Sequence, residues 1–180
     1  QYGFGSANIE TGEQVTENTP FKVGSISKTM IAVAAMQMQE RNLLDLDSSL
    51  DDIAFPITIE GVATENSTIT LRHLATHTSG ISDGDDYLCT YVIDGANISL
   101  TDAFDIYECP NGVTTDTRTF LSEYFHPNGI FYSQEDNFNG ELSGNAWEYS
   151  NVGATVLAEA LHHASGTPFD QWTRDNIFTP

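Results

Sequence analysis

The chain has 180 residues, enough for one compact domain or part of a larger one and too few for two ordinary domains. Its 26 Asp and Glu outnumber its 6 Lys and Arg, giving a formal net charge of −20 with the carboxylates scattered along the chain, so a phosphate backbone would be repelled and nucleic-acid binding is not expected. An apolar content of 39% argues against disorder, and the apolar stretches break off before the roughly 18 residues that span a bilayer, so the composition reads as a soluble globular protein with no transmembrane segment.

Residues 1–23 read as a β-hairpin. Tyr2 and Phe4 alternate with small residues, Thr11-Gly12 makes the turn, and Val15 to Val23 returns with Pro20 marking an edge or boundary. From Ser25 the pattern becomes helical. Ile26, Met30, Val33, Ala34 and Met38 share one side and Ala32, Ala35 and Met36 cover much of the rest, which predicts a buried helix ending near Arg41-Asn42. Leu43 to Ile53 alternates Leu with Asp and suits a surface turn and a short helix. Thr70 is placed to cap a helix from Leu71 to His77 that closes at Ser79-Gly80.

Residues 82–145 are rich in Asp, Asn, Gly and Thr, with helical pattern only at 101–107 and 117–125. Cys89 and Cys109 lie in this stretch. A disulfide between them would close a loop of roughly 20 residues, contribute about 3 kcal/mol on the chain-entropy view, and imply an oxidising compartment, extracellular or periplasmic. Two unrelated buried thiols are the other reading. Regular structure returns at Val152 to Ala164, whose apolar residues recur at helical spacing before Gly166, and Thr167-Pro168 starts a further helix over Phe169 to Ile177.

Chemistry concentrates at the starts of two apolar helices. The chain's one Ser-x-x-Lys is Ser25-Ile26-Ser27-Lys28, where a serine at a helix N-terminus has its hydroxyl near unsatisfied N–H groups and Lys28 lies one turn along on the same face. A lysine amine shielded from water can take the serine proton. An N-cap serine followed by a surface lysine gives the same pattern, but the neighbours of Lys28 are Ile, Met, Val and Ala. The only Tyr-x-Asn, Tyr149-Ser150-Asn151, precedes the second apolar helix, and between the two stands Leu74-Ala75-Thr76-His77-Thr78-Ser79-Gly80-Ile81.

These three segments together resemble the serine β-lactamase and penicillin-binding-protein superfamily, in its class C β-lactamase, D-alanyl-D-alanine carboxypeptidase and esterase branch. The matching text is Phe21 to Thr29, Leu74 to Ile81 and Trp147 to Gly153. The resemblance implies an α+β fold of β-lactamase type: 1–180 as a partial domain, 1–23 as a hairpin of an incomplete antiparallel sheet, and 24–180 as the helical half with an insertion at about 82–120. It implies Ser25 as the nucleophile that forms an acyl-enzyme, Lys28 as its proton partner, Tyr149 as the proton shuttle, Asn151 as a hydrogen-bond donor to substrate, and the Ser25 backbone N–H as half of an oxyanion hole. The substrate would be a small molecule or peptide carrying an amide, ester or lactam, with no cofactor and no metal. The superfamily's third motif, Lys-Thr-Gly or a His-x-Gly variant, does not occur before Pro180. We therefore expect a later segment or a second chain to complete the sheet, with a catalytically silent structural or binding protein as the alternative function.

The remaining candidates read structurally. His73 and His77 have the spacing of a zinc peptidase pair, but Leu74 stands where its Glu would be, so they suit burial or capping. His162-His163 suits a helix C-terminus, and Tyr2, Phe4, Phe131, Tyr132 and Phe138 suit packing. Asp83-Gly84-Asp85-Asp86 lacks the spaced ligands and closing Glu of a calcium loop and reads as solvated acidic surface.

Overall fold

The computed structural model describes residues 2–61, 68–85, 87 and 116–179. Its order is β1 (Ser6–Asn8), β2 (Glu13–Gln14), a 3-10 turn (Gly24–Ser27), α1 (Lys28–Glu40), α2 (Leu71–Ala75), α3 (Thr117–Phe125), α4 (Asn151–Ser165) and α5 (Phe169–Thr173), the last running into a π-helical turn over Arg174–Phe178. The fold class is α+β. None of the described helices is long and apolar enough to cross a membrane. The segment expected to be helical at 101–107 and both cysteines, Cys89 and Cys109, lie outside the described residues.

Helix α4 is the central post, packing against α1, α2, α3 and α5. Its sequence sets both ends. The Ser150 hydroxyl accepts from the Gly153 N–H at 2.8 Å, and Gly166 closes the helix in the left-handed conformation at φ 66°, where a side chain would be strained. Between those ends Val152, Val156, Leu157, Ala160 and Leu161 are buried, and they meet Ala34, Ala35 and Met38 of α1, Leu71 and Leu74 of α2, and Phe120, Leu121, Tyr124 and Phe125 of α3 in one core. Phe131 and Phe138 join it from the loop after α3, as packing residues should. At α2, Thr70 and His73 form a reciprocal capping box: the Thr70 hydroxyl accepts from the His73 N–H, and His73 Nδ1 accepts from the Thr70 N–H.

Three expectations need correction. Tyr2 and Phe4 do not pack: they are 101% and 98% exposed, on a hairpin whose two short strands pair Ser6 with Gln14 and Asn8 with Glu13 across an irregularity. Helix α1 is covered on one face only. Ile26, Val33 and Met36 follow one another along its opposite side and stand 65%, 40% and 51% exposed. Residues 43–53 form turns and no short helix, because Asn42 and Ala54 reverse the chain at φ 56° and 51° and backbone groups there bond to the segment before α2 instead (Leu50 N–H to Ile69 O, 3.0 Å; Leu71 N–H to Ser48 O, 3.1 Å). Leu44, Leu46 and Leu50 are buried by that folding back.

Candidate active site

The turn Gly24–Ser27 presents Ser25 at the solvent edge of α1, and Lys28 opens the helix proper. One turn of spacing brings the Lys28 Nζ to 3.4 Å from the Ser25 Oγ, which it reaches as a donor. From the far end of the sequence Tyr149 donates its phenolic O–H to the same Ser25 Oγ at 2.6 Å, and Lys28 donates to Asn151 Oδ1 at 2.6 Å. The Lys28 ammonium also lies 5.0 Å from the centre of the Tyr149 ring. Two residues from one end of the chain, Ser25 and Lys28, thus meet two from the other, Tyr149 and Asn151, around one hydroxyl.

Burial alone would push the Tyr149 phenol up. The hydrogen bonds with Lys28 and Ser25 and the Lys28 charge outweigh it, against a smaller opposing effect of Asp83, and the phenol lies below the ordinary tyrosine value. A phenolate at this position is stabilised by an adjacent cation, which is the condition a tyrosine needs to accept a proton.

Two further residues hold this arrangement. His77 sits just after α2 at φ 57°, a left-handed conformation uncommon for a side-chain-bearing residue. Its carbonyl accepts from the Glu148 N–H at 2.8 Å, its Nδ1 accepts from the Ser150 N–H at 3.2 Å, and its ring lies 4.6 Å from that of Tyr149. A backbone N–H can only donate, so Nδ1 is the unprotonated nitrogen. Next to it the Gly144 N–H bonds to Thr78 O at 2.7 Å and the Ser143 hydroxyl to Ser79 O at 2.9 Å, so residues 77–80 and 143–150 are laced together. The second residue is Asp83, whose carboxylate accepts from Ser150, Asn151 and Val152. The acidic cluster gave no hint of that role, whereas His77 lay inside a recognised motif and only its task was hidden.

Burial, and after it the Lys28 charge, holds the His77 imidazole below the ordinary histidine value of 6.5, against the pull of Asp83. The unfolded chain therefore takes up this proton first, and the contribution of neutral His77 to stability is present above 6.5 and lost as pH falls below it. Asp47, Asp52 and Asp116, held low by hydrogen bonds to Arg72, Ser49 and Thr119 respectively, act in a separate and more acid window. His77→Asn keeps a residue tolerant of positive φ and removes the titration. Thermal unfolding of the natural protein followed across pH should show a loss of stability beginning near 6.5 in the parent and a flatter profile there in the variant; parallel profiles would show that His77 is not its source.

The chain matches the Beta-lactamase family over residues 1–105 and 125–180. It belongs to that family. It is 26% identical over 179 residues to a penicillin-binding protein of Bacillus subtilis (strain 168), covering 99% of this chain and 33% of that protein. It is also 26% identical over 169 residues to esterase EstB of Burkholderia gladioli, covering 91% of this chain and 37% of the esterase. Among solved structures, the octameric penicillin-binding protein homologue from Pyrococcus abyssi superposes with a TM-score of 0.69 at 21% identity, over 98% of this chain and 34% of that one, which shows a shared fold. The chain thus spans about a third of the length of the curated relatives it matches.

Proposed function

We propose that the natural protein is a serine hydrolase that works through a Ser25 acyl-enzyme on an amide, ester or β-lactam. The observation that carries this reading is the Ser25 hydroxyl held at 2.6 Å from the Tyr149 phenol and 3.4 Å from the Lys28 ammonium. Ser25 Oγ attacks the substrate carbonyl carbon as its proton passes to the Tyr149 phenolate oxygen, which the Lys28 cation stabilises in its charged form. The carbonyl oxygen becomes an oxyanion, for which the Ser25 N–H supplies one donor. Collapse breaks the bond to the leaving nitrogen or oxygen, Tyr149 returns the proton to it, and water then repeats the sequence to release the acid. Asn151 has one amide N–H left to offer a substrate once Lys28 and Asp83 have taken its other two contacts. No step calls for a metal or cofactor. The relatives named as a penicillin-binding protein and an esterase support the substrate range, and the protein would act outside the cytoplasm, where a Cys89–Cys109 bond is stable.

Labelling the natural protein with a fluorescent penicillin and with a fluorophosphonate tests this reading, because only a working nucleophile is acylated. A catalytically silent member of the family takes neither label.

The same proposal includes a completed sheet. The exposed edge of the β1–β2 hairpin and the stripe of Ile26 in the 3-10 turn with Val33 and Met36 on α1 form the surface on which further strands would lie, from a later segment or a second chain. Residues 1–180 expressed alone should lack a cooperative monomeric unfolding transition, as read by circular dichroism and sedimentation; a sharp transition in a monomer would overturn this part.

A further inference from the structure

Asp83 occupies an unusual position for a residue of an acidic cluster. Each of its carboxylate oxygens takes two donors. Oδ1 accepts from the Ser150 hydroxyl at 3.0 Å and the Val152 N–H at 2.9 Å, while Oδ2 accepts from the Asn151 N–H at 2.9 Å and the Asn151 Nδ2 at 2.7 Å. Two of the four are backbone donors at the positive end of the 15-residue α4, where a carboxylate is favoured. Helix α4 already has its own N-cap in the Ser150 hydroxyl, which accepts from the Gly153 N–H. The bond to the Asn151 side chain therefore does something other than start the helix.

That bond fixes an orientation. The Asn151 amide points its oxygen at the Lys28 ammonium, 2.6 Å away, and its nitrogen at the Asp83 carboxylate. Turned over, the amide would set its NH2 group against a cation and its oxygen against an anion, so the pair of charges selects one of the two otherwise similar orientations. A line of contacts runs from Asp83 through Asn151 and Lys28 to the Ser25 hydroxyl. Asp83 also grips Ser150, the residue between Tyr149 and Asn151.

We infer that Asp83 is a positioning residue of the hydrolase site: it locks the Tyr149-Ser150-Asn151 turn and the Asn151 amide, and through them sets where Lys28 and Tyr149 stand relative to Ser25. The inference rests on the serine-hydrolase reading above. A neutral amide in its place cannot do the same work. With its NH2 group towards Ser150 the hydroxyl can turn to accept but the Val152 N–H loses its acceptor, and with its NH2 group towards Asn151 both donors there lose theirs; in either case the charge that favours one orientation of the Asn151 amide is gone.

The test is pre-steady-state acylation of the natural protein by a chromogenic ester or penicillin, which separates the burst amplitude, counting competent sites, from the rate constant at each site. Asp83→Asn should lower the rate constant per site by about 10- to 100-fold with little change in apparent substrate affinity, as a misplaced catalytic group does. Asp83→Ser is the second variant, since its shorter side chain withdraws both carboxylate oxygens from residues 150–152, and it should lose rate to a similar extent if Asp83→Asn does not fold. Asp116→Ala, which removes the carboxylate that caps α3 and touches none of these groups, should lose stability while keeping most of its rate per site. Unchanged rate constants in both Asp83 variants, including the case of a lower amplitude at the parent rate, overturn the inference and leave the hydrolase reading standing. A parent protein that is never acylated overturns both.

Discussion

Ser25→Ala should abolish covalent labelling and lower acyl transfer by at least about 10⁴-fold, the scale on which removing a nucleophile acts. Ser27→Ala, two residues along, should keep most of the parent activity. The contrast follows from the turn that carries both. A 3-10 helix has about three residues per turn, so positions two apart point away from each other. It is Ser25 Oγ that Tyr149 and Lys28 reach. Tyr149→Phe leaves the ring against His77 and removes only the hydroxyl, so it should cost about 10²- to 10⁴-fold, the range of general acid–base catalysis, with Ser25 still in place. Mass analysis of the labelled protein should place the adduct on the peptide containing Ser25. An adduct elsewhere, or equal losses from Ser25→Ala and Ser27→Ala, would show that the wrong hydroxyl has been chosen.

The site was legible to the extent that its parts are local motifs. A serine one turn before a lysine, and a tyrosine two before an asparagine, each stand at the start of an apolar helix, where the backbone fixes where they point. Helix α4 was equally legible, since an N-capping serine, a 3.6-residue apolar period and a terminal glycine all agree on its limits. What escaped was set by partners far along the chain. Asp83 looks like its acidic neighbours until folding brings it to donors 67 to 69 residues away. Alternation marked Tyr2 and Phe4 as strand residues, but they lie before β1, and periodicity says nothing of whether a second layer covers them. Helix α1 is legible in the same measure: an apolar surface all round calls for cover on every side, and here one face meets α4 while the other stays open, as an incomplete sheet would leave it.

The segment bearing Asp83 must itself be held, and a buried amide in the loop after α3 does much of that. Asn137 is 1% exposed, and its Nδ2 donates to Tyr124 O at 3.0 Å and Phe131 O at 2.8 Å, tying the middle of the loop of residues 126–136 to the last turn of α3. Its own carbonyl accepts from the Ser82 N–H at 2.9 Å, while Tyr124 donates its phenol to Ser82 O at 2.9 Å and accepts from the Gly84 N–H at 2.7 Å. Residues on both sides of Asp83 are therefore anchored to Tyr124 and Asn137. The packing is tight enough that a Cβ on Gly84 would stand 2.4 Å from Asn137 Oδ1. Asn137→Ala removes two donations made away from water and leaves a cavity, and should destabilise the protein by about 2 to 4 kcal/mol, whereas Glu135→Ala on the exposed side of the same loop should stay within about 0.5 kcal/mol of the parent. Denaturant titration of both variants of the natural protein measures this. Because the loosened segment carries Asp83, Asn137→Ala should also slow acylation per site in the protein that remains folded. A loss below about 1 kcal/mol would mean that burial of Phe131 and Phe138 alone holds the loop, and that the amide is incidental to the placement of Asp83.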